Sequence, residues 1–292
     1  MKKVLLSLLL LAGSILPMVG QTILDADDDK NFNDFYEKTM IKSRQAIPYP
    51  YLREDDVVWE SIVWRSIDFR EKFNQFFYFP IETTRNTQGR VNLVNTVLAA
   101  LKDGSIEAFD DDDFHISKDY DKIYNELNRE RTTSIPIFDE NDEEIGSKDT
   151  TIREEFNPAD VYTIRLKESW YIDKQDTRQK VRIVGLQFNY NYCQVRDGEN
   201  VCQTVSMFWV PMDDMRVRNV LVKHIAYDEN NSHAERSYDD IFIDRFFDSF
   251  VDRVDNRFNR SIASYLTGTD AILESQRIEE EIFNIESDMW EY

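Results

Sequence analysis

The sequence predicts an α+β fold with N-terminal helices, a central antiparallel β-meander that contains a disulfide-linked hairpin, and C-terminal helices. Three observations support this prediction. Apolar residues recur at helical spacing in residues 54–79. Residues 161–226 instead have the pattern of short strands separated by turns. After residue 237, phenylalanines recur every four residues, which again indicates a helix.

The chain is strongly acidic. Its 292 residues include 35 Lys and Arg against 56 Asp and Glu, so the formal net charge is -21 at pH 7. Binding to nucleic acid through a basic surface requires an excess of Lys and Arg, and this class of protein is therefore excluded. Because 41% of the residues are hydrophobic and 13% are aromatic, we expect a packed core and not global disorder.

Residues 1–20 have the pattern of a secretory signal peptide. Two lysines precede an apolar run over residues 4–11, and small and apolar residues continue to Gly20. The run is too short for a stable membrane span, and an N-terminal membrane anchor is the alternative. No later stretch approaches the ~20 apolar residues that spanning needs, so we expect a soluble exported protein. Residues 21–50 are polar and end in Pro48-Tyr49-Pro50, which predicts an exposed N-terminal arm.

Three helices are predicted in the N-terminal half. The first spans residues 54–79, with acidic residues at its positive N-terminal end and Pro80 after its last turn. Its apolar positions are Val58, Ile62, Val63, Ile67, Phe69, Phe73 and Phe77. The second spans residues 92–102 and stops at Gly104, and a shorter third helix lies around residues 120–131. Residues 132–158 are acidic and are expected to form a hairpin tip or a loop.

The central region is predicted to form three or four consecutive strands. They cover residues 161–172, 181–192 and 201–210, with a fourth over residues 220–226. Short turns join them, which favours an antiparallel meander. Between the second and third strands, Asp197-Gly198 is a strong signal for a two-residue hairpin loop.

The hairpin loop sets the register of the two cysteines. If Asp197 and Gly198 form the loop, Cys193 faces Cys202 in a non-hydrogen-bonded pair. The Cα atoms of such a pair approach to about 4.5 Å, which is within disulfide range. Exported proteins also meet oxidising conditions. We therefore predict a disulfide between Cys193 and Cys202, with two free thiols as the alternative.

The same register sorts the hairpin into two faces. The apolar face contains Val184, Leu186, Phe188, Tyr190, Tyr192, Val201, Val205, Met207 and Trp209. The polar face contains Gln187, Asn189, Asn191, Thr204 and Ser206 with the cysteine pair. This agreement between register and amphipathicity supports the predicted hairpin.

The C-terminal region returns to a helical pattern. Ser237 is a candidate N-cap, with Asp239 and Asp240 behind it. Six apolar residues follow at intervals of four, namely Phe242, Phe246, Phe250, Val254, Phe258 and Ile262. Each step advances about 400°, so the stripe drifts around the helix. Either the helix breaks near Asp255, or its two ends pack against different partners.

This stripe is typical of a core, but its drift keeps an interface role open. A final helix is predicted over residues 270–285, followed by a short C-terminal segment with a tryptophan. The candidate interface residues are Phe242, Phe246, Phe250, Phe258 and Trp290.

No residue pattern predicts a metal site or a cofactor. Residues 139–143 have the alternate spacing of the first EF-hand ligands. However, Glu144 and Thr150 occupy the positions where an EF-hand needs Gly and Glu. We therefore interpret this run, and the run of four aspartates over residues 110–113, as solvated acidic loops. The three histidines form no metal-ligand spacing.

No residue pattern predicts catalysis either. Glu168 beside Trp170 could serve glycoside hydrolysis, which uses two carboxylates near sugar-stacking aromatic residues. With 56 acidic residues in the chain, such pairs arise by chance. The sequence contains no G-x-S-x-G, phosphate-loop, H-E-x-x-H or dinucleotide-binding motif. We therefore name no catalytic residue and expect no enzyme.

Several stretches between residues 54 and 292 carry a family resemblance. In the first half they are Val58-Trp59, Trp64-Arg65, Ile67-Asp68, Arg70-Glu71-Lys72 and Tyr78-Phe79-Pro80. In the centre they are Glu168, Trp170, Asp173-Lys174-Gln175, residues 181–185, Phe208-Trp209 and Pro211. The most specific are residues 234–242, Arg245-Phe246, residues 273–275, residues 281–284 and Trp290-Glu291-Tyr292. Together these stretches resemble the GldN/PorN family of the bacterial type IX secretion and gliding machinery.

The resemblance implies a non-enzymatic periplasmic protein at the inner face of the outer membrane. It implies a large ring of copies of this chain with a GldK/PorK-like outer-membrane lipoprotein. It further implies contact with the periplasmic domain of a GldM/PorM-like motor protein of the inner membrane. Residues 51–292 are then expected to form one GldN/PorN-like α+β domain, which allows a subdivision near residue 150. The alternative is a periplasmic hydrolase or carbohydrate-binding protein, which predicts a monomer with a ligand pocket.

Overall fold

The computed structural model describes residues 44–82, 87, 89–138, 144–154, 156–196, 199–229, 231 and 233–289. For residues 129–154, 192–196, 199–202 and 289 it describes the backbone only. The predicted signal peptide and residues 21–43 of the predicted arm lie outside the described residues. Residues 41–292 form one compact unit.

The described residues form nine strands. They are β1 (Val57–Asp68), β2 (Ala108–Phe109), β3 (Ser117–Lys118), β4 (Arg129–Phe138), β5 (Glu144–Glu154), β6 (Thr163–Asp173), β7 (Gln179–Arg196), β8 (Glu199–Pro211) and β9 (Phe250–Val254). Seven of them form an antiparallel sheet in the order β3-β2-β8-β7-β6-β1-β9, and β4 pairs with β5 as a separate hairpin. The consecutive strands β6, β7 and β8 confirm the predicted meander, and the β4–β5 hairpin lies where a hairpin tip or loop was predicted.

Six α-helices accompany the strands in the described part of the chain. They are α1 (Gln75–Tyr78), α2 (Leu93–Lys102), α3 (Tyr120–Leu127), α4 (Met215–Lys223), α5 (Tyr238–Ile243) and α6 (Thr269–Met289). Helices and an antiparallel sheet together confirm the α+β class. The predicted start and end of α2 are confirmed, because the Asn92 side chain accepts a hydrogen bond from the backbone N–H of Asn95 and Gly104 adopts a φ of 68°. Helices α3 and α6 also lie where they were predicted.

The helix predicted over residues 54–79 is wrong, because residues 57–68 form β1 and only the short α1 is α-helical. Strand β1 lies between β6 and β9, and it has buried side chains on both faces, such as Val63 and Trp64. Apolar residues on both faces remove the two-residue alternation, so periodicity cannot separate a strand from a helix. The informative signal was composition, since seven of the twelve residues are β-branched or aromatic.

The strand predicted over residues 220–226 is also wrong, because α4 occupies residues 215–223. Asp214 caps this helix by accepting a hydrogen bond from the backbone N–H of Arg216 (2.8 Å). Val217 and Leu221 are buried one helical turn apart. The prediction began in the last turn of α4, where the helical pattern can no longer be seen.

The helix predicted from Ser237 through residue 262, with or without a break near Asp255, is wrong beyond Ile243. The N-cap is confirmed, since Ser237 and Asp240 form a reciprocal capping box. Helix α5 then stops at Arg245, which adopts a φ of 52°. The next N–H, of Phe246, donates to the Ile241 carbonyl (2.9 Å) in a Schellman motif. Residues 250–254 form β9, so the four-residue spacing of the phenylalanines runs through three different kinds of structure.

The β7–β8 hairpin has the predicted register near its tip. Arg196 pairs with Glu199, and Cys193 pairs with Cys202. The side chains of the two cysteines are not among those described. The register that a disulfide requires is therefore present, and the disulfide itself stays a prediction.

A bulge further along the hairpin changes one predicted face. The register shifts between Phe188 and Asn189, so that Phe188 faces Phe208 and Trp209 faces Gln187. A shift of one residue moves a side chain to the other face of a strand. Trp209 therefore lies on the face of Gln187, and its predicted place on the apolar face is wrong.

The buried apolar residues form two clusters. The first, which we call the main core, contains buried residues of β6–β8 and of α1–α5, such as Phe77, Leu93, Ile164, Phe188 and Phe242. The second, which we call the C-terminal core, consists of Val63, Val251, Ile262 and Ile282 and lies under α6. Val63 belongs to the C-terminal core and Ile67 to the main core, and they lie four residues apart on β1. Alternation therefore places both cores on the same face of the sheet.

Candidate interaction surface

Helix α6 is bound to the sheet by polar contacts at three points. Ser275 Oγ accepts a hydrogen bond from a backbone N–H of β9 (2.8 Å). Arg65 of β1 donates to Glu279 Oε1 (2.5 Å), and Gln179 of β7 donates to the Ile282 carbonyl (3.1 Å). These contacts fix the rotation of the helix about its axis and so determine which residues face outward.

The outward side of α6 is both acidic and apolar. The helix carries seven Asp and Glu residues and one Arg. Ile272, Leu273 and Phe283 are each about three-fifths exposed or more, at 59%, 61% and 66%. The sequence did not identify these three as surface residues. A signal was present, since the adjacent Ile272 and Leu273 are about 100° apart on a helix and cannot both face one narrow core.

Two grooves flank α6. The first has a volume of about 380 Å³ and lies between α6 and residues 254–265; its apolar lining includes Trp59, Phe258, Ile262 and Ile278. The second has a volume of about 460 Å³ and is lined by Trp170, Phe247 and Phe283, with Arg65 and Arg245. Grooves of this size with an apolar lining can receive side chains of another protein.

An ionic network borders the first groove. Arg277 donates to Glu274 (2.6 and 2.8 Å) and also bonds Glu281 one turn later. The hydrogen bonds from Arg277 lower the pKa of Glu274, and those to Glu274 raise the pKa of Arg277. The hydroxyl of Tyr265 also bonds Glu274 (3.3 Å). Arg277, Glu281 and Tyr265 are exposed and Glu274 is half-buried, so these groups position charge at the rim and contribute little to stability.

The structure separates the five predicted interface residues. Phe242 is 1% exposed and lies in the main core, so it is not available at the surface. Phe246 and Phe250 are 39% and 46% exposed, and Phe258, at 71%, lines the first groove beside α6. Trp290 lies outside the described residues. Only Phe258 of the four that are described therefore belongs to the surface around α6, and the interface roles of Phe246 and Phe250 stay predictions.

Phe246 belongs to a second exposed aromatic group. Its ring lies 4.8 Å from that of Phe73 and 6.0 Å from that of Phe76. The guanidinium of Arg236 lies 4.0 Å above the Phe246 ring. These contacts cover much of the aromatic surface and offset its exposure.

Glu168, the carboxylate suggested for glycoside hydrolysis, has a structural role. Glu168 is fully buried and accepts hydrogen bonds from Arg245 (2.6 Å) and from Trp170 Nε1 (2.9 Å). The indole N–H holds the carboxylate instead of facing a ligand, and the Arg245 guanidinium lies 5.4 Å from the Trp170 ring. The buried carboxylate of Glu168 therefore links β6 to Arg245, two residues after α5, and it is not suited to proton transfer to a substrate.

The aspartates of residues 110–113 lie in a loop and remain at least partly exposed, as the sequence suggested, but they also pair with basic side chains of the sheet. Lys167 Nζ bonds Asp113 (2.9 Å) and the Asp112 carbonyl (2.6 Å). Arg253 bonds Asp112 Oδ2 (3.1 Å) and lies 3.5 Å from the Trp64 ring. The run therefore crosses the face of the sheet that is opposite the two cores. The ring of Phe114 lies on the same face and fits there only because Gly185 has no side chain. A Cβ atom at residue 185 would lie 2.6 Å from the ring.

The first two aspartates of that run are also occupied. Lys118 is buried and bonds both Asp110 (3.0 Å) and Glu126 (2.7 Å). Burial lowers the pKa of Lys118, but the bonds to the two carboxylates outweigh burial and raise this pKa above its ordinary value. Backbone N–H groups of Ile116 and His115 donate to Asp111 and lower its pKa. Each of the four aspartates therefore forms a hydrogen bond or an ion pair with a neighbouring group of the fold.

Among the residues described, no group of three or more His, Cys, Asp or Glu side chains is placed to hold a metal ion. The acidic residues at 139–143 lie outside the described residues. Within the described part of the chain, no helix has both the length and the apolar character needed to cross a bilayer.

The family model described as "Gliding motility associated protein GldN" matches residues 52–291, which covers the sheet, both cores and α6. No curated protein matches the chain.

Proposed function

The chain belongs to the GldN family of gliding motility associated proteins, and we propose from this premise that it is a non-enzymatic structural component of the gliding and type IX secretion machinery. In this proposal residues 1–20 direct it to the periplasm, where it lies at the inner face of the outer membrane. There it forms a large ring with a GldK/PorK-like outer-membrane lipoprotein. It also contacts the periplasmic domain of a GldM/PorM-like motor protein.

The acidic, partly apolar side of α6 is the observation that supports a docking function. Exposed apolar residues such as Phe283 supply area to bury against a partner. The seven carboxylates of α6 outnumber Arg277 of the helix and Arg65 of β1, which pair with three of them, and this excess favours a basic partner surface and makes the encounter sensitive to salt. Glu168 and the aspartates of residues 110–113 bond neighbouring groups within the fold, which also supports a structural role.

Charge reversal on α6 tests this surface. The variant Glu280→Lys with Asp288→Lys changes two exposed carboxylates of α6. We expect it to lose co-extraction with its envelope partners, because the docking charge is reversed locally. The control, Asp103→Lys with Glu235→Lys, makes the same change in net charge at exposed positions outside α6 and should keep its partners. Equal loss by both variants would show that net charge, and not the α6 surface, drives the association.

Extraction of the assembly tests the proposed function itself. The envelope is solubilised in a mild detergent, sized, and the co-purifying proteins are identified. We expect a very large species that contains this chain, an outer-membrane lipoprotein and the motor protein. A free monomer under conditions that preserve other envelope complexes contradicts the ring. It would favour the periplasmic hydrolase or carbohydrate-binding alternative.

We also propose the Cys193–Cys202 disulfide as part of the exported protein. The facing positions of the two residues in the β7–β8 ladder support it. Intact mass of the alkylated, non-reduced protein should show no added alkyl group, and reduction should allow two. Two alkyl groups without reduction would show free thiols.

A further inference from the structure

A short extended segment, residues 44–50, lies against α4, α5 and β7. We call this segment the strap. It is the described end of the arm that the sequence predicted to be exposed, and five of its residues contact the domain. Its contacts are all with residues at least 132 positions later in the chain. The site that receives the strap is therefore formed by residues that are distant from the strap in sequence.

The centre of this site is a buried ion pair. Arg218 of α4 and Asp239 of α5 are 1% and 2% exposed and form two parallel hydrogen bonds (2.9 and 3.0 Å). The remaining arm of the Arg218 guanidinium donates to the carbonyl of Ile47 in the strap (2.6 Å). A bidentate pair of this kind has fixed geometry, so the third bond is aimed at the strap backbone.

Tyr49 of the strap fits between two guanidinium groups. The centre of its ring lies 4.6 Å from the guanidinium of Arg218 and 4.9 Å from the guanidinium of Arg182 on β7. Arg182 also donates to the carbonyl of Pro50 (2.9 Å). Cation–π contacts are strongest where water is excluded, and burial here also raises the pKa of Tyr49. We call Arg182, Arg218 and Asp239 the clamp.

The strap has the properties of an exchangeable ligand. Pro48 and Pro50 on either side of Tyr49 favour an extended backbone, so little conformational entropy is lost on binding. After the strap, Tyr51 is 90% exposed and the chain reaches β1 within a few residues. A short exposed connection of this kind can point the strap to its own clamp or to a neighbouring one.

We propose that the clamp is a binding site for an extended Pro-Tyr-Pro segment, and that in the assembled protein it holds the strap of a second copy of this chain. Exchange keeps every clamp contact and adds a link between copies. An isolated copy fills its own clamp, because a tethered ligand has an effective concentration in the millimolar range. Neighbours in an assembly reach similar local concentrations. This inference rests on the proposed function, since it requires an assembly of copies.

Crosslinking from the strap tests the exchange. A photo-crosslinking amino acid is placed at Ile47, whose side chain is 79% exposed, so the label leaves the clamp contacts in place. Isotopically heavy and light full-length chains are mixed before assembly, and adducts are mapped by mass spectrometry. A label at Ile116, which is 56% exposed and outside the strap, is the control.

We expect adducts between Ile47 of one chain and α4 of the other in the assembled species, and adducts within one chain in dilute monomer. Adducts confined to one chain in an intact assembly overturn the exchange while leaving the proposed function standing. Absence of any multi-copy species removes both.

A second variant gives an independent measure. Tyr49→Ala should lower the yield of adducts between Ile47 and α4 about tenfold, which is ~1.4 kcal/mol of strap binding, whereas Tyr49→Phe keeps the ring and should restore the yield. Circular dichroism confirms that both variants are folded. An unchanged adduct yield from a folded Tyr49→Ala protein overturns the clamp as a binding site for the Pro-Tyr-Pro segment.

Discussion

The main core and the C-terminal core lie on the same face of one sheet, but different numbers of helices cover them. Five helices, α1–α5, contribute to the main core, whereas α6 alone covers the C-terminal core. Hydrophobic stabilisation grows with the apolar area removed from water, so the main core supplies most of the stability. The C-terminal core holds a helix that keeps apolar residues at its surface. One region therefore specifies the fold, and the other presents a surface to partners.

Two phenylalanines from the same predicted stripe give the largest contrast. Phe242 lies in the main core, and its replacement by Ala should cost ~3–5 kcal/mol because it leaves a cavity. Phe258 lies at the rim of the groove beside α6, and its replacement by Ala should lower the free energy of unfolding by less than ~0.5 kcal/mol. Urea unfolding measures both. Similar losses would show that the groove is as tightly packed as the main core.

Two ion pairs extend the comparison to charges. Glu168→Ala removes a buried carboxylate that holds both Arg245 and Trp170, and should cost ~3 kcal/mol. Glu168→Gln keeps a hydrogen-bond acceptor and should cost less. Arg277→Ala breaks an exposed pair on α6 and should cost no more than ~0.5 kcal/mol. An equally small loss for Glu168→Ala would contradict its structural role.

The C-terminal core should open separately from the rest. Ile282→Ala removes one of its four buried residues and should cost ~2 kcal/mol, a part of which appears as local opening of α6. Hydrogen exchange should therefore accelerate in α6 while β6–β8 stay protected. Ile272→Ala, on the exposed side of the same helix, is the matched control and should leave exchange unchanged. Uniform acceleration across the sheet would show that the two cores unfold as one.

A pH-dependent cap at the edge of the main core gives the smallest effect. Burial raises the pKa of Asp240, but hydrogen bonds from Arg44 and Ser237 outweigh it and hold the pKa below 3.8. A lowered folded-state pKa stabilises the fold above the unfolded value, and this stability is lost as the pH falls through the folded-state pKa. Asp240→Asn should therefore cost ~1 kcal/mol at neutral pH and progressively less below about pH 4.

The control for this prediction is Asp244→Asn, at the exposed C-terminal end of the same helix. It removes the same charge without removing a cap, and a carboxylate is unfavourable at a helix C-terminus. We expect no loss of stability at neutral pH. A loss equal to that of Asp240→Asn would attribute the effect to net charge instead of the capping box.

Sequence patterns located those elements whose signals are local. The start of α2 at Asn92, the Ser237 cap, Gly104 after α2 and the pairing of Arg196 with Glu199 each depend on a few neighbouring residues, so their positions could be predicted. Strand β1 could not be separated from a helix, because its burial on both faces comes from β6, β9 and the helices that pack on them. The bulge after Phe188 likewise has no local signal, and it moved Trp209 to the other face.

The surfaces show the same division. The acidic character of α6 follows from composition, but the exposure of Phe283 and the burial of Phe242 depend on which helix covers which strand. The sequence did not reveal the clamp, because Arg182 and Arg218 contact the strap across separations of more than 130 residues in the chain.

By itself, the sequence determined the α+β class, the antiparallel meander, the tip register that pairs Cys193 with Cys202, the acidic charge and the family resemblance. Each of these depends on residue spacing, composition or motif, which a linear chain carries directly. The tertiary structure alone decided the role of β1, the end of α5, the partners of the acidic residues and the seating of the strap. These are set by contacts between distant segments, where packing and desolvation override local propensity.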